Sequence, residues 1–293
     1  MHRLHRMFWA GLALVLPVLA QQSFTWHDTG DGRLELSENG KAVLVYNYGP
    51  QLKPGAPENR RRCCYVFPLY TPGGVSMLDD FPPDHWHHRG LFWAWPVVET
   101  GDQTYDIWMN FTARDRPSKH TVTMGGKQAK LEADDVWEAG GQDIVRETVR
   151  LTVFPARGSS RELAAEVTLE ALRGPVTLRG SREKGKSYGG FSARFAPRTD
   201  TVLRADGETL AKDEDLTPHS WAELEGTYGG KAAVLRITVD PTDPGAPYQW
   251  CLRKYGFVGA SFPGRTDTQD GYTLEPGKPV SLKFRVRVAD VKK

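Results

Sequence analysis

The chain has 293 residues, 39% hydrophobic and 25% charged, with a formal charge of +2. That composition belongs to a folded globular protein with enough apolar residues for a sizeable core, in one large domain or two small ones. The near balance of charge excludes a general electrostatic pull toward nucleic acid or an anionic membrane.

Residues 1–20 read as a cleaved leader. Arg3 and Arg6 give a basic start, residues 7–19 an apolar run, and Val18 and Ala20 suit the positions three and one before a cleavage point. Without this segment the formal charge is zero. The apolar run is too short to span a bilayer and no later segment is long enough, so a secreted or periplasmic protein with no membrane insertion is expected. Gln21 stands where a lipoprotein would need Cys.

Beyond the leader the pattern is β. Segments 33–36, 42–46, 145–154, 163–171, 232–239 and 280–288 are short, rich in Val, Leu, Thr and aromatics, and tend to alternate apolar with polar. In VSLKFRVRV at 280–288, Val280, Leu282, Phe284, Val286 and Val288 take one face and Lys283, Arg285 and Arg287 the other. Turn clusters such as DGR, ENGK, RGSS, DGE and EPGK separate the runs. No long run has a helical period and no internal repeat is present. The pattern predicts an all-β fold, a large antiparallel β-sandwich in one domain over 21–293, with the Pro/Gly-rich stretches 50–57 and 241–247 as surface loops.

Three cysteines, Cys63, Cys64 and Cys251, are too few and too oddly spaced for a disulfide framework or a zinc-thiolate site. Adjacent cysteines rarely bridge each other, so at most one bond is expected, from Cys251 to one of the pair.

The stretch PDHWHHRGLFW at 83–93 puts three of the eight histidines within four positions. If extended, it places His85 and His87 on one face and Asp84 and His88 on the other. A His-x-His pair can hold a metal ion with further ligands from other strands, although the acid that usually follows is missing and the next is Glu99. No cofactor is expected, and a divalent metal on His85 and His87 is one alternative. Packing under a loop is a second. A third is a metal-free site in which one histidine moves protons while Asp84 or Arg89 holds its tautomer or binds a substrate anion.

Trp86, Phe92, Trp93, Trp95 and Trp108 make this the most Trp-dense part of the chain. Flat rings with polar groups alongside suit a sugar, whose C–H face packs on the ring while its hydroxyls find His, Asp and Arg. Tryptophan in a sandwich is also a common core residue, and part of the set is expected to be packing.

A second constellation is GSREKGKSYGGFSARF at 180–195, with Glu183, Lys184, Lys186, Tyr188 and Arg194 in a Gly-rich segment followed by a strand-like alternation. It reads either as a charged loop in water or as a site. In the latter, Gly189 and Gly190 permit close backbone approach, Glu183 acts as acid or base, and Arg194 points into a cleft. The phosphate-loop order is absent. A third patch, PTDPGAPYQWCLRKYG, offers Trp250, Arg253 and Tyr255, or simply a loop returning to a core strand.

FPLYTPGGVSMLDDFPPDHWHHRGLFWAW, EKGKSYGGFSARF and DPTDPGAPYQWCLRK, in that order, resemble a bacterial family labelled methane oxygenase PmoA-like, over most of the mature chain. The label looks misapplied, since a membrane monooxygenase subunit has spans that this chain lacks. The resemblance implies an exported β-protein similar to the galactose-mutarotase-like supersandwich, associated with saccharide breakdown. It places the family's polar motif residues on Asp84, His85, His87, His88, Arg89, Glu183, Lys184, Tyr188, Arg194, Trp250 and Arg253. This chain reads EKGKSYGG where the family commonly has EKGYGG.

Together these readings predict an exported carbohydrate-active protein. As an enzyme of lyase, epimerase or glycosidase type it would use His87 or His88 with Glu183 for proton transfer. Asp84, His85, Arg89, Trp93, Trp95, Tyr188, Arg194, Trp250 and Arg253 would hold a saccharide or glycoside. As a non-catalytic glycan-binding module it would need only the aromatic platform. The sequence does not determine the oligomeric state.

Overall fold

The computed structural model describes residues 24–109, 113–125, 128–264 and 271–292. The expected leader lies outside them. The six segments that alternate in the sequence are all strands: Arg33–Glu38, Lys41–Asn47, Gln142–Val153, Ser160–Ala171, Lys231–Val239 and Val280–Asp290. In Val280–Asp290 the apolar positions are buried while Lys283 and Arg285 are exposed, as a strand with one solvated face requires. The one helical element among the described residues is a single 3-10 turn, Glu58–Arg60.

Two nine-stranded sheets and one four-stranded sheet form among the described residues, with neighbouring strands antiparallel. The first sheet runs from edge to edge as Phe24–Asp28, Arg33–Glu38, Lys41–Asn47, Tyr65–Leu69, Leu91–Ala94, Gly190–Arg194, Phe257–Ser261, Tyr248–Arg253 and Glu214–His219. The second includes the long strands Lys231–Val239, Val280–Asp290, Ser160–Ala171, Gln142–Val153 and Gln128–Ala139 side by side. The two pack face to face. Phe191 of the first stacks on Phe284 of the second at 4.2 Å, and Trp93 donates its indole N–H to Glu147 at 2.6 Å. This is the β-sandwich the sequence predicts.

The centre of the first sheet departs from the alternation. Leu91–Ala94, Gly190–Arg194 and Phe257–Ser261 are buried at every position, so FSARF has no solvated face. Trp93 and Phe191 are register partners that face the second sheet, whereas Phe92 and Phe257 face the opposite way and meet His88. Loops folded over that outer face bury it, and those loops carry the histidines. Gly190 fits this crowding: its φ is +122°, and a Cβ there would lie 2.6 Å from the Ala260 carbonyl oxygen.

Cys63, Cys64 and Cys251 are buried and form no disulfide in this structure. The expected bond to Cys251 is therefore corrected: Cys251 belongs to Tyr248–Arg253, while Cys63 and Cys64 lie just ahead of Tyr65–Leu69, four strands away across the sheet.

Candidate functional site

The histidine stretch is not extended. The His85 N–H donates to the Pro82 carbonyl and the His88 N–H to the His85 carbonyl, both at 2.9 Å, so two consecutive turns replace the strand. A four-residue turn brings its ends together, which is why His85 and His88 stack with ring centroids 4.6 Å apart and planes 8° apart. His87, inside the same turn, meets His88 edge-on at 4.5 Å and His85 at 5.7 Å. All three imidazoles thus share one site, by a geometry opposite to the strand alternation.

Arg89 holds these turns from beneath and is 1% exposed. Its guanidinium donates to the carbonyls of Trp86 and His88, each at 2.7 Å, and to that of Arg60; it also lies 3.5 Å from the Phe81 ring centroid. Asp80, 3.8 Å away, is its carboxylate neighbour, and burial pushes that carboxyl up to about 6 against the pull of Arg89. Arg89 is a strut, not the substrate-orienting residue expected.

Four rings form one pile. Tyr255 stacks on His85 at 5.3 Å, His85 on His88, and His88 on Phe257 at 4.9 Å. The Arg194 guanidinium lies 4.8 Å from the Tyr255 ring centroid and donates to both Asp84 oxygens at 2.8 Å; Asp84 in turn lies 3.0 Å from His85 Nδ1. Burial raises the Asp84 carboxyl, but the Arg194 and His85 bonds outweigh it and hold the group below its ordinary value. Asp84 and Arg194 therefore position His85 and Tyr255 and lie outside the cleft lining, which corrects their expected substrate-binding role.

The Gly-rich segment comes to the same place. Ser181 donates its N–H to the Tyr188 carbonyl at 2.8 Å, and Lys186 donates its own to the Glu183 carbonyl at 3.1 Å, which folds the segment back on itself. This fold puts Lys186 beside Glu183. The carboxylate receives the Tyr188 hydroxyl at 2.7 Å and the Lys186 ammonium at 2.5 Å, and those two donors hold it below its ordinary value. Lys184 is exposed. Tyr188 packs on Trp108 at 5.0 Å.

Between the two loops lies a cleft of about 510 Å³ lined by His85, His87, His88, Glu183, Tyr188 and Arg253, with Lys186, Tyr255, Phe257, Trp108, Met109 and Cys251 completing its wall. That volume falls in the range of small-molecule sites. Burial pushes His87 down to about 3, with His85, Arg60, Arg89 and Arg62 acting in the same direction, and burial pushes His88 well below 6.5. Both imidazoles are thus neutral at neutral pH, Glu183 is a carboxylate, and the Tyr188 phenol is pushed by burial up to about 12. Arg253 faces the cleft and is paired with Asp215.

His88 is 4% exposed, with Phe257 and His85 stacked against it and His87 meeting it edge-on. Its neighbours enclose it; His87 and Glu183 both line the cleft. Trp93, Trp95 and Trp250, expected as sugar platforms, are core: they are 4%, 1% and 1% exposed, and their N–H groups are spent on Glu147, the Phe262 carbonyl and the His219 carbonyl. Trp93→Phe should therefore cost about 1–3 kcal/mol of stability, by removing a donor from a buried carboxylate, and leave ligand affinity unchanged. Chemical denaturation beside a binding assay checks both. Sequence reasoning missed Met109 and Phe257 as site residues. Phe257 joins the site through strand register, opposite Arg194, which no local pattern reveals.

Among the described residues no three His, Cys, Asp or Glu side chains are arranged to share a metal ion. His85 and His87 have ring planes inclined at 70° at 5.7 Å, and His85 Nδ1 is turned toward Asp84, so this pair does not make the two-ligand grip expected of His-x-His.

The burial of His87 has a measurable consequence. Its folded value, about 3, lies below the ordinary 6.5, so the unfolded chain takes up the proton first; the stability tied to neutral His87 is full above about 6.5 and lost as pH falls toward 3. Asp80 and Asp243, pushed up to about 6 by burial, act in the opposite sense over their own window. Comparison with His87→Gln removes those shared contributions. Wild type should lose stability relative to the variant between about pH 6.5 and pH 4, by up to about 1.4 kcal/mol per pH unit. Parallel profiles would show that His87 is not buried in the neutral form.

An antiparallel β-sandwich with a His/Glu cleft on the outer face of one sheet is what fold and site define. The chain belongs to the Family of unknown function (DUF6807), whose model matches residues 33–292. A search of curated proteins found no match. Among solved structures the chain is similar to a protein from the human microbiome described as a kojibiose phosphorylase, at 6% identity and a TM-score of 0.36. That match covers 89% of this chain and 29% of the other, so the chain spans under a third of that protein's length. A likeness of this degree assigns no activity. No helix among the described residues is long and apolar enough to cross a membrane.

Proposed function

We propose that the protein is an exported enzyme that acts on a saccharide or glycoside by proton abstraction, with His87 and Glu183 as the proton-transfer groups. The observation that carries this reading is that a neutral, half-buried imidazole and an ionised carboxylate line one cleft of about 510 Å³ whose wall includes the rings of Tyr188 and Tyr255. Both groups begin as proton acceptors. A glycosidase needs a carboxylic acid kept protonated by a raised pKa, and Glu183 is shifted the other way. Lyase or epimerase chemistry therefore fits better than hydrolysis.

In this reading His87 takes a proton from the bound sugar, and the imidazolium formed returns it to product or water. Glu183, fixed by Tyr188 and Lys186, accepts a hydroxyl hydrogen bond or a second proton. Arg253 and Lys186 are the cations facing the ligand, in place of Arg89 and Arg194. The binding-module alternative loses Trp93 and Trp95, which are core, and would rest on the Trp108, Tyr188 and Tyr255 rings of the cleft wall instead.

The test is turnover of purified protein on a panel of oligosaccharides and oxidised (keto) glycosides, with and without chelator. Proton abstraction predicts an altered sugar product from at least one. Stable binding without turnover across the panel would favour the binding module. For any substrate turned over, the acid limb of kcat/KM should lie below about pH 4.5, because both groups are held in their basic forms to that point. A limb near 6.5 would contradict the assignment of His87.

A further inference from the structure

We infer that Cys63 and Cys64 close on each other as a disulfide between adjacent residues when the protein matures in an oxidising compartment. In an extended chain neighbouring side chains point to opposite faces, so adjacent thiols stand apart. Here Cys64 has φ +64°, a region that residues with a side chain seldom occupy. That turn brings both sulfurs to the same side, 3.2 Å apart. Carbon atoms in ordinary contact sit about 3.5–4.0 Å apart, and sulfur is larger, so these two are closer than non-bonded packing requires. Both residues are buried, at 2% and 3% exposure, and the Cys64 N–H is tied to the Asn47 carbonyl at 2.6 Å, so the backbone is fixed in the conformation that holds the sulfurs together.

The pair ends a segment that braces the cleft. Arg60 donates to the Met109 carbonyl at 2.9 Å, and its own carbonyl receives Arg89. Arg62, next to Cys63, is 4% exposed and donates to the carbonyls of Ile107 at 2.8 Å and Trp93 at 3.0 Å. A bridge at residues 63 and 64 would fix the C-terminal end of this brace. Cys251, on the cleft wall and four strands away across the sheet, is out of reach of both and stays reduced.

The oxidant is a disulfide of a small thiol or of a dithiol oxidoreductase. One cysteine thiolate attacks it and expels one thiolate; the second cysteine thiolate then attacks the resulting mixed disulfide and expels the other. The two cysteine protons and the two electrons leave with the oxidant, which becomes two thiols.

The experiment exports the full chain to the periplasm of a bacterial host, purifies it without reductant, and unfolds it in acid and then in denaturant with an alkylating reagent. Peptide mass spectrometry reads the result. Expected is one peptide carrying both Cys63 and Cys64, unalkylated and lighter by two hydrogen atoms than its reduced form, with Cys251 alkylated. Recovery of Cys63 and Cys64 both alkylated would overturn the inference. So would a bridge from either to Cys251, to a second chain or to glutathione.

Discussion

His87→Ala and Glu183→Gln are each expected to lower turnover by roughly 10²- to 10⁴-fold with little change in KM, the effect of removing a positioned proton-transfer group. Among the described residues no hydrogen bond or ion pair holds the His87 side chain, and Glu183 sits on the cleft wall among Lys186 and Tyr188, so both variants should fold. His88→Ala is a different case. It removes the middle of the pile between His85 and Phe257, against which His87 leans edge-on, so it should lower both stability and turnover. Unchanged rates in His87→Ala and Glu183→Gln on a substrate the wild type consumes would remove the acid/base assignment.

The second large effect is on stability. Arg89→Met should destabilise the fold by about 3–5 kcal/mol, the range for breaking a buried charge pair by deleting one partner. Asp80 would lose its cation, and the carbonyls of Trp86, His88 and Arg60 would lose a shared donor. Arg89→Lys should recover little, because an ammonium on a flexible stem cannot reproduce the planar fork that reaches three carbonyls. Urea midpoints measure both. A wild-type midpoint for Arg89→Met would mean that the guanidinium does not hold the histidine turns.

Residue types of the site were legible in the sequence; their roles were only partly so. The outer strands announce themselves because one face meets water, and Val280–Asp290 keeps its alternation as far as Val288. The central strands Leu91–Ala94 and Phe257–Ser261 have no wet face and so no alternation to read. Three histidines in four positions marked the site, but their conformation depends on Arg89 reaching Arg60, 29 residues upstream, which local pattern cannot contain. Arg89, Arg194 and three tryptophans carry groups a sugar site would use. Burial and the partners they meet in the fold turned those groups inward. Glu183 was singled out by its chemistry, and the Lys186 and Tyr188 donors that hold its carboxyl below its ordinary value are supplied by the fold.

Proton abstraction leaves an isotopic record, and that record tests the central claim most directly. Saccharides turned over by the wild type, incubated in deuterium oxide and read by mass spectrometry and NMR, should each lose the hydrogen of one carbon, replaced by deuterium in an epimerised product or missing from the double bond of an eliminated one, and this loss should fall with turnover in His87→Ala and Glu183→Gln. Product formed with every carbon-bound hydrogen retained, or deuterium entering at the same rate in both variants as in wild type, would contradict the account.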